Sequence, residues 1–179
     1  YSTRYSRGDL KNFKNYFIVQ FDTPIKEVTV FDNGKKINKN EISSKHAGIV
    51  VSFGAQTKAK PIIAKVSSSF ISDEQAATNL KELKNHSFEQ IAKKGRKIWN
   101  DKLGQLAIES DNLDEMKTFY STLYRTLFFP NKLYEIDEKN NVVHYSPYNG
   151  KVLPGYLFGG TGFWDTFRAL YPFLNLVYP

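Results

Sequence analysis

The chain has no cysteine. Disulfides, thiol nucleophiles and cysteine metal sites are excluded together, and the absence suits a reducing or an oxidising compartment equally. Nothing resembles a signal peptide, and no apolar run approaches the roughly 18 residues of a membrane-spanning helix. Tryptophan is scarce, with 2 residues beside 11 Tyr and 14 Phe, so large packed surfaces with some hydrogen-bonding edges are expected. Acid is in the minority: 18 Asp and Glu against 25 Lys and Arg give a net charge of +7 and a pI near 9.4. That excess is scattered except at Lys93-Lys94-Gly95-Arg96-Lys97. The cluster has no interleaved aromatic residues to stack on bases, so it reads as solvated and no nucleic-acid partner is expected. What is present, 41% hydrophobic and 15% aromatic residues, suffices for a real core and excludes a disordered chain. The 179 residues could hold one ordinary domain or parts of two. They begin without Met and stop in mid-pattern at Leu176-Val177-Tyr178-Pro179, which reads as a portion of something longer.

Up to Phe70 the residues read as strands. Tyr16 to Phe21 is β-branched and aromatic and is closed by Asp22 and Pro24. Ile25 to Phe31 partly alternates and runs into Asp32-Asn33-Gly34, the strongest turn signal in the chain. Gly48 to Phe53, Pro61 to Val66 and Ser67 to Phe70 follow, and short strands with turns between them predict part of an antiparallel sandwich.

At Ser72 the period becomes helical. Ser72-Asp73-Glu74-Gln75 and Ser87-Phe88-Glu89-Gln90 are capping boxes. The first predicts a helix through about Lys84. The second predicts one carrying Ile91, Gly95, Ile98, Trp99 and Leu103 at helical spacing, with Trp99 as a packing residue. Leu106-Ala107-Ile108 is a short strand or an extended link. Asp111 or Asn112 then caps an amphipathic helix with Met116, Phe119, Tyr120, Leu123, Tyr124, Leu127 and Phe128 on one face, ended by Pro130. Residues 131–160 are rich in turn formers and predict a long loop, studded by Tyr145, Tyr148, Tyr156 and His144. Loops of that length tend to be functional.

The stretch Gly160-Thr161-Gly162-Phe163-Trp164-Asp165-Thr166-Phe167-Arg168 reads as a helix start, capped at Thr161 or Gly162 and running until Pro172 kinks or ends it. At helical spacing Phe163, Phe167, Leu170 and Leu174 form an apolar stripe. Trp164, Asp165 and Arg168 share the opposite arc, because neighbours at i+3 and i+4 stack along a helix. That arc presents a flat ring, an acceptor and a fork of donors, which is what vicinal sugar hydroxyls and a sugar's C–H face require. A plainer reading stands beside it: Asp165 and Arg168 as a surface ion pair, with Trp164 in the core.

Taken in order, several blocks match a known family. They are Ser69-Phe70-Ile71-Ser72 with Glu74, Ala76 and Asn79-Leu80; Trp99-Asn100 with Leu103; and Phe119-Tyr120-Ser121-Thr122-Leu123-Tyr124 through Pro130. His144-Tyr145-Ser146-Pro147-Tyr148-Asn149-Gly150 and Gly162 through Ala169 with Pro172 complete the series. Together they resemble the glycoside hydrolase family 92 α-mannosidases of Bacteroidetes type, over Ser67 to Pro179. The resemblance implies an α+β multi-domain architecture. Residues 1–71 would be the C-terminal part of an N-terminal β-sandwich domain, 72–110 a helical linker, and 111–179 the first helices of an (α/α)6 catalytic barrel. It implies a secreted, periplasmic or cell-surface enzyme that hydrolyses α-mannosides of N-glycans or α-mannan, exo-acting, inverting and calcium-dependent. Trp164, Asp165 and Arg168 would bind substrate, with His144 and Tyr145 as candidate loop contacts. The general acid, the general base and the calcium ligands are expected beyond Pro179, in the rest of the same chain. The lead-in Gly159-Gly160-Thr161 departs from the more polar one the family suggests. Two other classes of function remain: a non-catalytic carbohydrate-binding or interaction module using the same arc, and a binder of anionic polymers using Lys93 to Lys97.

Overall fold

The computed structural model describes residues 10–55, 57 and 60–179, so the first part of the expected strand region, residues 1–9, lies outside the described residues. Helices and antiparallel sheets make it an α+β chain. It divides into two compact units. One is Ile18–Ser67, and the other joins the described residues up to Phe17 to Ser68–Pro179. The chain passes between them within β1 (Tyr16–Phe21) and β5 (Ala64–Ser69), which pair with each other.

The strand unit follows the sequence closely. β2 (Glu27–Asp32) lies between β3 (Lys35–Ile37) and β4 (Ala47–Ser52), antiparallel to both. Asn33 and Gly34 form the β2–β3 turn with φ of 47° and 78°. Two left-handed residues in succession match the twist of the flanking strands, which is why Asn-Gly is favoured there. Val30 is buried at the centre of this sheet, and Phe21 meets Phe53 edge to face at 5.0 Å.

In the second unit α1 (Asp73–Leu80) starts at Ser72, whose hydroxyl accepts from the Gln75 N–H. The box expected there is only half formed, because the Gln75 amide turns inward. It donates to Asn79 Oδ1 at 2.9 Å and to the Ile136 carbonyl at 2.7 Å. The last turn tightens to a 3₁₀ turn over Lys81–Leu83. At α2 (Phe88–Leu103) both halves of the Ser87–Gln90 box are present. Asn112 caps α3 (Leu113–Thr126) by accepting from the Asp114 and Glu115 N–H groups. Trp99 packs as expected, with its ring 4.4 Å from Tyr124 and 6.4 Å from Phe128, and so joins α2 to α3. Residues 106–108 are an extended link rather than a strand, held by the Tyr120 hydroxyl donating to the Leu106 carbonyl.

The expectation of a long loop over 131–160 is corrected. β7 (Glu135–Ile136), β8 (Val142–Tyr145) and β9 (Val152–Pro154) form an antiparallel meander, and β6 (Asn131–Lys132) pairs with β10 (Phe158–Gly159). Four of these five strands have two or three residues, too few to show a period. Their turns are built by side chains instead. Asp137 accepts from the Lys139 and Asn141 N–H groups, and the Asn141 bonds above all hold its carboxyl below the usual range.

The meander packs against the segment before β1. The Phe13 ring lies 5.6 Å from Phe70 and 5.8 Å from Tyr145, and the Asn12 amide donates to the Gly150 carbonyl. Gly150 has φ of +70°, and a Cβ there would stand 2.5 Å from the Lys11 carbonyl oxygen. Gly150→Ala is therefore expected to destabilise the protein by at least about 1–2 kcal/mol, from left-handed strain and a forced retreat of Lys11. Denaturant unfolding measures it, and a variant as stable as the parent would refute the close approach.

Candidate functional site

The segment that carries the predicted arc is pinned before it reaches it. The Gly155 N–H donates to the Val142 carbonyl, and the Leu133 N–H donates to the Leu157 carbonyl. Phe158 and Gly159 then pair with Lys132 and Asn131. Gly160, at φ of +85°, lies so close to the Phe129 ring and the Asn131 side chain that a Cβ would meet them at 3.1 and 2.9 Å. Only glycine tolerates both that conformation and that approach.

Gly162 then caps α4 (Phe163–Thr166), without a side-chain cap bond. Thr161, expected as an alternative cap, instead has its hydroxyl oxygen buried without a hydrogen-bond partner. The single helix expected from Gly162 to Tyr171 is corrected to two. α4 closes with the Phe167 N–H on the Phe163 carbonyl, the backbone breaks at Ala169 (φ −125°, ψ −58°), and α5 spans Leu170–Val177. Pro172 sits in the first turn of α5, where its missing N–H is no loss. In a continuous helix its ring would collide with the Arg168 carbonyl, so the break falls upstream of it.

The arc is displayed on the surface. Trp164 is 80% exposed, and Asp165 and Arg168 are also exposed. The ion pair expected of the plainer reading does not form: no salt bridge joins Asp165 to Arg168. Asp165 turns back over its own helix start, so that a Cβ on Gly162 would stand 2.9 Å from Oδ2. The Arg168 guanidinium lies over the Phe167 ring, 5.3 Å from its centroid. The apolar stripe begins as predicted, with Phe163 and Phe167 stacked at 5.7 Å, although Phe163 is 71% exposed.

The two candidate loop residues are placed on opposite faces of β8, as alternation along a strand requires. Tyr145 is buried, its ring against Phe13 and its hydroxyl donating to the Lys11 carbonyl at 2.6 Å. Burial pushes its phenol above the ordinary range. His144 is half-buried, and its Nδ1 is 2.8 Å from the Gly155 carbonyl oxygen. A carbonyl only accepts, so Nδ1 carries a proton and donates it to Gly155.

One feature escaped the sequence reading. Tyr134, Tyr156 and Phe158 form an aromatic group, with Tyr134 4.9 Å from Tyr156 and 5.6 Å from Phe158. The spacing of Tyr156 and Phe158 was a signal for it, since residues at i and i+2 share one face of a strand. Two surface concavities lie elsewhere, one lined by Asn112, Asp114, Glu115, Thr118 and Phe119, the other by Thr78, Lys81, Glu82, Ile136, Asp137, Glu138 and Asn140. Among the described residues no three His, Asp or Glu side chains converge to hold a metal ion, and no helix is long and apolar enough to cross a membrane.

Tyr145→Phe tests the placement of that ring. It removes one hydrogen bond and keeps the packing, so it is expected to cost about 1 kcal/mol of stability. Denaturant unfolding measures it, and a variant as stable as the parent would refute the bond to the Lys11 carbonyl.

The family model of the glycosyl hydrolase family 92 catalytic domain matches residues 75–179. A family GH92 inverting mannosidase from Bacteroides thetaiotaomicron is 37% identical with a TM-score of 0.88, over 96% of this chain and 24% of its own. A family GH92 α-mannosidase of the same species, solved with mannoimidazole, shares the fold at 22% identity and a TM-score of 0.75, over 90% of this chain and 22% of its own. The GH92 family glycosyl hydrolase ccman5 does so at 23% identity and a TM-score of 0.71, with the same coverage of 90% and 22%. No curated protein matches the chain. The chain thus spans about a quarter of the length of its solved relatives. With the family model covering more than half of it, and a relative of that identity aligned along nearly all of it, the chain belongs to glycosyl hydrolase family 92.

Proposed function

We propose that this chain is the substrate-binding start of an exo-acting, inverting α-mannosidase that releases mannose from N-glycans or α-mannan. The observation that carries the reading is an 80%-exposed Trp164 beside an exposed Asp165 on the turn begun at Gly162, in a member of a glycoside hydrolase family. Burying a side chain of that size is worth roughly 1.5–3 kcal/mol, so its exposure on a pinned segment suits a surface meant to be covered. The indole presents a flat face to the C–H face of the terminal mannose. On binding, Asp165 swings outward from its place over Gly162 and accepts hydrogen bonds from two hydroxyls, and Arg168 donates beside it.

In this reading 1–71 belong to a β-sandwich domain, 72–110 to a helical linker, and 111–179 to the opening of an (α/α)6 barrel. The apolar faces left exposed on the helices, such as Phe88, Ile98 and Leu113, then meet the rest of the enzyme. Inversion requires an acid to protonate the leaving oxygen and a base to activate water, on carboxyls roughly 6.5–9.5 Å apart. Both are assigned to the part of the enzyme outside this chain, as are the ligands of the calcium that the family reading implies. The described residues build no site for that ion. A secreted, periplasmic or cell-surface location accords with a glycan substrate.

Asp165→Ala in the full-length enzyme is expected to lower kcat/KM by about 30- to 1000-fold, a cost of roughly 2–4 kcal/mol from the lost hydroxyl bonds. Thermal unfolding should remain near the parent's. Near-normal kcat/KM toward an aryl α-mannoside would sink the assignment. The isolated 179-residue chain is expected to show no turnover with or without calcium, and hydrolysis by the rigorously purified chain would place the acid and base within it.

A further inference from the structure

We propose that His144 is a positioning residue: its Nδ1–H holds the Gly155 carbonyl and thereby fixes the path of the segment that delivers Trp164 and Asp165. The inference rests on the reading that these two side chains bind the sugar. The β8–β9 ladder pairs Tyr145 with Val152, His144 with Leu153 and Val143 with Pro154. Its last rung is the Gly155 N–H on the Val142 carbonyl. At Gly155 the backbone takes φ of +101° and turns out of the ladder. The carbonyl of that residue no longer faces a strand, and a backbone acceptor leaving a sheet needs another donor. It meets His144 Nδ1 at 2.8 Å.

The corner is therefore fixed on both sides of the Gly155 Cα, by a backbone carbonyl on the peptide before it and by an imidazole on the peptide after it. Two residues later Leu157 is tied to Leu133, then Phe158 and Gly159 pair with β6, and Gly160 rests on Phe129. The run from Gly155 to Gly162 holds four glycines, each of which adds backbone freedom that the pins must remove. Loss of the first pin frees the corner from which the run starts. The face of β8 matters here: Tyr145 points to Phe13 and the core, which leaves His144 on the face where the corner passes.

The donor position makes the inference separable from a direct contact with sugar. An asparagine amide nitrogen lies about where Nδ1 does, whereas a glutamine amide reaches one carbon farther, toward the position of Nε2. His144→Ala, His144→Asn and His144→Gln are compared in the full-length enzyme by steady-state kinetics on an aryl α-mannoside and by hydrogen exchange of peptides covering 155–162. The Ala and Gln variants are expected to raise KM about tenfold with kcat less affected, and to speed exchange in that segment alone. The Asn variant is expected to stay within about threefold of the parent in KM and to keep slow exchange. Parental exchange in all three variants would overturn the proposal. So would an Asn variant as impaired as Ala, which would assign His144 a direct contact through Nε2. If the parent enzyme fails to hydrolyse α-mannosides, the proposed function falls, while the exchange comparison still decides the role of His144.

Discussion

The Glu135 carboxylate, at the start of β7, is the point from which the helical unit is hung. One of its oxygens accepts the Phe70 N–H at 2.9 Å, and the other accepts the Asn79 amide at 2.7 Å. The same Asn79 nitrogen donates to the Ser68 carbonyl, and Gln75 reaches from α1 to the carbonyl of Ile136, next in the strand. Four short polar contacts thus join the end of β5, the inner face of α1 and the first strand of the meander. Ala76, fully buried between Gln75 and Asn79 in the helix, lets α1 come close enough for them to form. Charge-assisted bonds of this length are about twice as strong as neutral ones, and removing the acceptor would orphan a backbone donor and an amide together. The position of everything after Glu135 follows from that junction. β8 pairs with β7, β9 with β8, and the chain leaves β9 at Gly155 toward α4.

Much of this was readable from residue types. The Asn33-Gly34 hairpin, the caps at Ser72, Ser87 and Asn112, and the amphipathic α3 each rest on interactions among residues close in sequence, so a local signal exists. The meander was missed because its order comes from elsewhere. Glu135 and Ile136 are a strand by virtue of Val142 and Val143 opposite them and of Gln75, Asn79 and Phe70 beside them. Gln75 shows the same competition at one residue: its local capping bond lost to two partners, one of them 61 residues away.

The candidate site was legible in part. The adjacency of Trp164 and Asp165 and the Phe163–Phe167 stack follow from helical spacing over four residues. The extension of that helix past Thr166 did not hold, since Pro172 imposes its restriction four residues upstream of itself. The pairing of Asp165 with Arg168 also depended on rotamers that spacing does not determine. Asp165 is drawn toward the helix start and Arg168 toward an aromatic face. The roles of His144 and Tyr145 could not be separated by composition, because which side of β8 faces the core is decided by Phe13, more than a hundred residues earlier.

That last contact bears on how such a protein can be divided. The family's catalytic-domain match begins at residue 75, yet Phe13 covers the Tyr145 ring and Lys11 supplies the acceptor for its hydroxyl. The described residues begin in the helical unit at Leu10, leave it for Ile18–Ser67, and return. The strand unit is therefore an excursion in the path of a single domain, and no one cut in the backbone separates the two. A recombination event at the match boundary would carry away Lys11 and Phe13 with the strand unit and leave a buried phenol facing water. Exchange of the two units between relatives is thus confined to crossovers that move Lys11, Phe13 and the helices together, and the segment before β1 is inherited with the C-terminal residues from which it is farthest in sequence.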